Sequence, residues 1–175
     1  MERITTIELA KEYLKFSVAH FTIFSATDRE RLHGHNFSVS AEIDAPVNDN
    51  GLCFSYAEFK KKLEVLCSEL DEYLVLPQLS PHLNIRQQND EYLVEFNTET
   101  MRFLVSDTML LPIRNSTVEE FADYLLKRLL EDPDIIRYDI RRILIRVSSG
   151  PGQWGSSDWH LDQSAPSRKP IKIAN

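Results

Sequence analysis

Leu32-His33-Gly34-His35-Asn36-Phe37 runs without interruption into the alternating segment Ser38-Val39-Ser40-Ala41-Glu42-Ile43. Residues two apart on a β-strand share a face, so as a strand this stretch presents His33 and His35 to one side of a sheet. A third imidazole lies upstream in Phe16-Ser17-Val18-Ala19-His20-Phe21, another β-rich run able to pair with the first and bring His20 alongside. Three neutral nitrogen ligands with the fourth position open form the arrangement of a catalytic zinc rather than a closed structural one. An isolated H-x-H pair is often a chance feature of a loop. Here three of the chain's five histidines fall between positions 20 and 35, and that concentration favours a metal.

With 175 residues, 42% of them hydrophobic and 27% charged, the chain is long enough to bury a core, and one domain is expected over 1–162. No apolar run reaches membrane-spanning length, and the opening Met1-Glu2-Arg3-Ile4-Thr5-Thr6 lacks the layout of a signal peptide. A cytoplasmic protein without a membrane partner is expected. The net charge of −7 argues against non-specific binding of nucleic acid, because no basic face is available to release counterions. A phosphorylated small molecule held by a local basic cluster is compatible with it. Two cysteines, Cys53 and Cys67, are too few for a disulfide framework. Cys67 falls among Phe59, Leu63, Leu66 and Leu70 at helical spacing and reads as core.

Along the chain, residues 3–21 read as β-rich with room for a helical turn around 8–12. The connection from 22 to 32 carries Asp28, Arg29, Glu30 and Arg31, which suit either a solvated loop or a functional one. The strand over 36–45 stops at Pro46 and the turn cluster Asn48-Asp49-Asn50-Gly51. Ser55-Tyr56-Ala57-Glu58 has the form of a capping box, and the recurrence of Phe59, Leu63, Leu66 and Leu70 predicts a helix over 56–70, ended by Asp71-Glu72-Tyr73. Residues 77–81 read as a loop, and the alternating runs 92–96 and 101–105 as a hairpin. Thr117 with Glu120 makes a second capping box, opening a helix with Phe121, Ala122, Leu125, Leu129 and Leu130 on its stripe and Asp132-Pro133 at its end. A last strand, 143–147, runs into Ser148-Ser149-Gly150-Pro151-Gly152-Gln153-Trp154-Gly155. The tail over 163–175 is polar and reads as disordered or loosely packed. The order strand, strand, helix, hairpin, helix, strand describes an α+β domain: a mostly antiparallel sheet with two helices on one face. Its uncovered face and edges favour self-association.

Several of these segments together resemble the family of 6-pyruvoyl-tetrahydropterin and 6-carboxytetrahydropterin synthases: Phe16-Ser17-Val18-Ala19-His20, Leu32-His33-Gly34-His35-Asn36-Phe37, Asn50-Gly51-Leu52 ahead of Ser55-Tyr56, Thr117-x-Glu119, and Gly150-Pro151-Gly152-Gln153. The likeness spans about 14–158, with 82–106 as an inserted hairpin found in some branches. The resemblance implies a tunnelling fold (T-fold), whose trimers join their sheets into a β-barrel and stack in pairs as homo-hexamers, with active sites between subunits. It implies zinc on His20, His33 and His35. It implies a pterin substrate, 7,8-dihydroneopterin triphosphate, used in queuosine, folate or biopterin synthesis, with Thr117 and Ser116 at the pterin ring.

The chain departs from the family at three functional positions. The cysteine placed a few residues ahead of H-G-H is missing, and Arg29 or Glu30 stands there. The histidine after the aspartate that ends the first helix is replaced, leaving Asp71-Glu72. The pterin-anchoring glutamate after the last strand is Ser149. Arginine cannot shuttle protons at neutral pH, whereas a carboxylate near zinc can act as a base. Glu30 is therefore the candidate base, with Asp71 and Glu72 as a candidate acid/base pair and Arg29 and Arg31 as candidate triphosphate contacts. Some similar members carry a glutamate at the Glu30 place and cleave the side chain to a 6-hydroxymethyl-dihydropterin in an aldolase-like reaction. Three functions follow as expectations: a zinc-dependent lyase of the synthase type, the aldolase-like cleavage, and a non-catalytic zinc-containing oligomer that binds a pterin or nucleotide.

Overall fold

Two short strands, β1 (Ile4–Leu9) and β2 (Lys15–His20), lie end to end along one 14-residue strand, β3 (His33–Pro46), in the computed structural model, which describes residues 2–161. The polar tail expected over 163–175 lies outside the described residues. β1 pairs with the second half of β3, setting Ile7 opposite Ile43, and β2 with the first half, setting Phe16 opposite Phe37 and His20 opposite His33. The helical turn allowed around 8–12 does not form. Glu8 and Leu9 complete the β1 ladder, and a tight turn follows in which the Leu14 amide donates to the Lys11 carbonyl at 2.9 Å.

Helix α1 (Tyr56–Leu70) buries Phe59, Leu63, Leu66, Cys67 and Leu70, the expected stripe. It returns the chain to β4 (Tyr73–Pro77), which lies parallel to β2. Three strands, β5 (Asn84–Gln88), β6 (Glu91–Phe96) and β7 (Glu99–Leu104), then make a separate antiparallel sheet, one strand more than the hairpin expected there. A 3₁₀ turn, Val105–Asp107, leads to β8 (Thr108–Leu111), parallel to β4. Helix α2 (Val118–Leu130) and the single-turn α3 (Pro133–Ile136) precede β9 (Arg142–Gly150) and β10 (Gln153–His160). The main sheet has seven strands in the order β10-β9-β3-β2-β4-β8, with β1 also on β3. It is mixed rather than antiparallel throughout, because β4 and β8 each re-enter parallel after a crossover, the first made by α1 and the second by the inserted sheet.

The neighbourhood of the histidines is organised by three phenylalanines. Phe16 of β2 stacks on Phe37 of β3 at 5.2 Å between ring centres, and Phe121 of α2 meets both edge-on at 5.5 and 5.0 Å. All three are fully buried, each stabilising the fold by about 1.5–3 kcal/mol through removal from water. On the opposite face, Leu74 and Leu76 of β4 pack with Phe21, Ile23, Val94 and Phe96, so the inserted sheet covers one end of the face that the helices leave bare.

Neither capping box forms. Ser55 and Thr117 stand at the N-cap positions of α1 and α2, yet neither side chain accepts from its helix, and the Glu120 carboxylate instead accepts from the Arg114 amide at 2.7 Å. The glycine-rich run after β9 is a hairpin turn. Gly150 pairs with Gln153, leaving Pro151-Gly152 as the two-residue loop, and Gly152 at φ +84° takes the left-handed position that a type II turn reserves for glycine. Gly155 has a different task. A Cβ there would lie 2.6 Å from the Val118 carbonyl carbon and 2.7 Å from the Glu119 nitrogen, so the first turn of α2 rests directly on the β10 backbone. Gly155→Ala is expected to cost about 1–3 kcal/mol by forcing the helix off the strand. Urea denaturation checks this, and an unchanged midpoint would show that the helix start slides freely.

Candidate metal centre

Antiparallel pairing of β2 with β3 sets His20 opposite His33 and Val18 opposite His35, which brings all three imidazoles to the helix-facing side of the sheet at the edge of the phenylalanine cluster. Ring centres of His20 and His33 are 4.7 Å apart, those of His20 and His35 5.4 Å, and those of His33 and His35 4.9 Å. Each ring offers one nitrogen to a group in which all three atoms lie within 4.8 Å of one another. Among the described residues no other trio of histidine, cysteine or carboxylate side chains converges in this way.

The hydrogen bonds behind the rings select which nitrogens face the centre. His20 Nδ1 lies 2.8 Å from the Ser116 carbonyl and His33 Nδ1 2.7 Å from the Arg31 carbonyl. A carbonyl only accepts, so both Nδ1 atoms carry the proton and both Nε2 atoms are left as lone pairs. This is how proteins fix the tautomer of a metal-ligating histidine. His33 Nε2 is 3.1 Å from His35 Nε2, and His20 Nε2 is buried without a hydrogen-bond partner. Tetrahedral zinc with bonds of about 2.0–2.1 Å sets its nitrogens roughly 3.3 Å apart. The orphaned His20 nitrogen, aimed at a converging set of imidazoles, fits a divalent cation held by His20, His33 and His35.

Burial lowers the His20 pKa below the ordinary 6.5, and the charges of His33 and His35 add to this, while the Ser116 carbonyl and Glu30 oppose it. The neutral, ligating form is thereby favoured. In metal-free protein the unfolded chain takes up a proton near pH 6.5 that folded His20 accepts only at lower pH, so stability should be full above 6.5 and decline as pH falls below it. Urea midpoints of the apoprotein between pH 7.5 and 5.5 check this, and a flat profile over that range would contradict it.

Glu30 ends a tight loop between His20 and His33. Its amide donates to the Thr22 carbonyl at 2.8 Å, and its Oε2 accepts from the Thr22 amide at 3.0 Å and lies 3.9 Å from His33 Nε2. Partial burial pushes the Glu30 carboxyl up, but hydrogen bonds from Thr22 and the charges of His33 and His20 outweigh it and hold the pKa below the usual carboxylate value. Glu30 is thus a carboxylate at neutral pH. The loop is clamped from the segment just ahead of α2 by Asn115, whose Oδ1 accepts from the Ile23 amide at 3.0 Å while its Nδ2 donates to the Ile23 carbonyl at 2.8 Å. Asn115 had no motif to announce it. Neighbouring residues Asn115 and Ser116 therefore fix both the Glu30 loop and His20.

The other candidates are placed differently. Ser116 is fully buried, its hydroxyl 3.4 Å from the Val75 carbonyl, so it serves His20 through its backbone and presents no side chain to a ligand within the protomer. Thr117, half-buried, begins α2. Ser149 continues the alternation of Ile143, Ile145 and Val147 on β9, which puts it on the face that carries Phe37 and the histidines. Asp71 caps the C-terminus of α1 and its Oδ1 accepts from the Ser17 amide at 2.6 Å, while Glu72, at φ 66°, donates its amide to the Ser17 carbonyl at 2.7 Å. This pair ties α1 to β2 and does not join the protomer's own histidine cluster. Arg29 is not free for a phosphate, since its guanidinium is directed at Glu99 and the Glu30 carbonyl.

No helix among the described residues is long and apolar enough to cross a membrane. The model of the family described as 6-pyruvoyl tetrahydropterin synthase matches residues 8–157. The Pyrococcus abyssi protein named "Putative 6-carboxy-5,6,7,8-tetrahydropterin synthase" is 26% identical over 153 residues, covering 86% of this chain and 90% of that one. The crystal structure of 6-pyruvoyl tetrahydropterin synthase from Plasmodium vivax matches with a TM-score of 0.85 at 28% identity, covering 91% of this chain and 99% of that one. A second structure of the Plasmodium vivax protein, in which a glutamate described as a catalytic residue is replaced by alanine, matches at 0.86, with the same identity and coverage. The mixed α+β fold, the three converging histidines and these likenesses agree: the chain belongs to the 6-pyruvoyl tetrahydropterin synthase family.

Proposed function

We propose that the chain is a zinc-dependent lyase that acts on 7,8-dihydroneopterin triphosphate, with Glu30 as its general base. The observation that carries this reading is the carboxylate of Glu30, 3.9 Å from His33 Nε2, beside three converging imidazoles, two of which, His20 and His33, are held by hydrogen bonds that direct their lone pairs inward. His20, His33 and His35 would hold the zinc, which when bound supplies positive charge that stabilises negative charge developing on the substrate's side-chain oxygens. Glu30 takes a proton from the substrate side chain through Oε1 or Oε2, and its low pKa keeps it in the accepting form at neutral pH. Thr22 orients the carboxylate by donating to Oε2. Thr117, at the start of α2, and Ser149, near the end of β9, are the residues assigned to the pterin ring on this reading. The catalytic glutamate of the Plasmodium vivax protein supports a carboxylate in the role for which this chain lacks a cysteine.

A second reading, aldolase-like cleavage to a 6-hydroxymethyl-dihydropterin, uses the same residues and is favoured by the same carboxylate. We infer in addition that the protein works as a cytoplasmic homo-oligomer in which trimers join their sheets into a barrel and pair as hexamers. Among the described residues, strands β8 and β10 end the order of the main sheet, and these unpaired edges support that assembly. Incubating zinc-loaded protein with dihydroneopterin triphosphate and resolving the products by chromatography tests the reading. A carboxy- or pyruvoyl-tetrahydropterin product supports the synthase reaction and a hydroxymethyl product the cleavage. Tight binding with unchanged substrate at micromolar protein would replace both with a non-catalytic pterin-binding oligomer.

A further inference from the structure

Arg29 occupies an unusual place for a charged residue next to a reactive centre. Its guanidinium carbon lies 5.2 Å from the ring centre of Phe21 and 5.5 Å from that of Phe96. Nη2 donates to Glu99 at 2.6 Å, Nη1 donates to the Glu30 carbonyl at 2.9 Å, and Nε is buried with no hydrogen-bond partner. Phe96 ends β6 and Glu99 begins β7, so both belong to the turn of the inserted sheet. Phe21 directly follows His20. One side chain thus joins the inserted sheet, the residue after a metal ligand, and the backbone of Glu30.

We propose that Arg29 is a positioning residue through which the inserted sheet β5–β7 holds Glu30 in place. The inference rests on the reading of Glu30 as the base and extends it to residues outside the histidine cluster. The Glu30 amide is fixed by the Thr22 carbonyl and its Oε2 by the Thr22 amide, but both of those bonds lie within the loop and move with it. Beyond the packing of Phe21 and Ile23, two side chains tie the loop to the body of the protein: Asn115, at the Ile23 backbone, and Arg29, which reaches Phe96 and Glu99 of the inserted sheet while holding the Glu30 carbonyl. Arg29 is the anchor closer to the carboxylate. If only filling between two phenyl rings were needed, methionine would serve without leaving a buried Nε unpaired. What methionine lacks is the planar fork that donates to the Glu30 carbonyl and Glu99 at once. Glu99 is 60% exposed against 18% for Arg29, so solvent screens that ion pair; the stacking on Phe96 carries most of the anchoring to the inserted sheet, and the carbonyl bond passes it on to Glu30.

The test compares the full-length wild type with Arg29→Met, Arg29→Lys and Glu99→Gln. Amide exchange is followed across 21–32, and kcat, KM and metal content are measured with dihydroneopterin triphosphate. Arg29→Met should keep its metal and its thermal midpoint, exchange the Glu30 amide at least about tenfold faster, and lose about tenfold or more in kcat with KM nearly unchanged. Such a split is expected when geometry at the reacting group is lost but substrate binding is kept. Glu99→Gln should change kcat by less than about threefold, with Arg29→Lys in between. In a Glu30→Gln background Arg29→Met should have no further effect on kcat, because the group it positions is gone. Unchanged exchange in Arg29→Met overturns the proposal whether or not the wild type turns over this substrate. A kcat loss that adds fully to that of Glu30→Gln also overturns it. Wild type that leaves the substrate intact, or Glu30→Gln at full activity, instead defeats the assignment of Glu30 as base, and the exchange rates then decide by themselves whether Arg29 holds the loop.

Discussion

His33→Ala should abolish metal binding and turnover together, while leaving the fold in place. On the proposed reading His33 is one of three ligands, and its Nδ1 bond to the Arg31 carbonyl holds the ring in the tautomer that leaves Nε2 as a lone pair. Removing it leaves two imidazoles, too few to hold the proposed cation beside the buried His20 Nε2. Activity should drop by on the order of a thousandfold or more, since Lewis-acid stabilisation is worth several kcal/mol and each 1.36 kcal/mol is tenfold in rate. Phe16, Phe37 and Phe121 pack with one another, and Phe37 meets the rings of His20 and His35 rather than that of His33, so the metal-free variant should unfold close to the wild-type apoprotein. Zinc should raise the wild-type midpoint in proportion to the logarithm of its concentration and leave that of the variant unmoved. Elemental analysis finding one metal ion per chain in purified His33→Ala would refute the assignment of the three ligands.

The parts of the molecule that could be read from the chain are those in which a period and a chemical demand coincide. Strand β3 alternates cleanly, and H-x-H on a strand leaves both rings on one face, so register alone delivers His33 and His35 to His20. Helix α1 carries a regular apolar stripe and ends where expected, at Leu70. β4 had no such signature. Leu74 and Leu76 face the inserted sheet and Val75 the helices, so Tyr73-Leu74-Val75-Leu76 is apolar on both sides and shows no alternation. β5 failed for the opposite reason: Ile85 is the sole apolar residue in Asn84–Gln88, and pairing with β6 rather than burial makes it a strand. The capping boxes matched a pattern of residue types, yet Glu120 found a nearer donor at Arg114. At the site, residues that donate side-chain atoms to the centre were legible and those that act through the backbone were not. Ser116 contributes its carbonyl, Asn115 clamps a peptide group and Arg29 holds another. Backbone contacts depend on tertiary placement, which no spacing of residue types encodes.

Glu30→Gln separates the metal from the base. The amide has the size of the carboxylate and its oxygen can still accept from the Thr22 amide, so the loop and its bond to the Arg29 side chain should persist. What disappears is the negative charge and the ability to take a proton. Loss of a positioned general base lowers turnover by roughly 10²–10⁴-fold, and Glu30→Gln is expected to fall in that range with one zinc still bound per chain. Glu30→Asp should retain more activity than Glu30→Gln, because it keeps the charge and withdraws it by one methylene from its position 3.9 Å from His33 Nε2. Product formation by chromatography and metal content by elemental analysis, measured on the same preparations, make the comparison direct. Asp71 provides the contrast, since its carboxylate is engaged at the Ser17 amide between α1 and β2. Asp71→Asn keeps an oxygen that accepts from the Ser17 amide, so it should leave both the fold and the rate per folded molecule close to wild type. Should Glu30→Gln turn over substrate as fast as the wild type while Asp71→Asn is inactive and fully folded, the base would have to be sought at the end of α1 rather than beside the histidines.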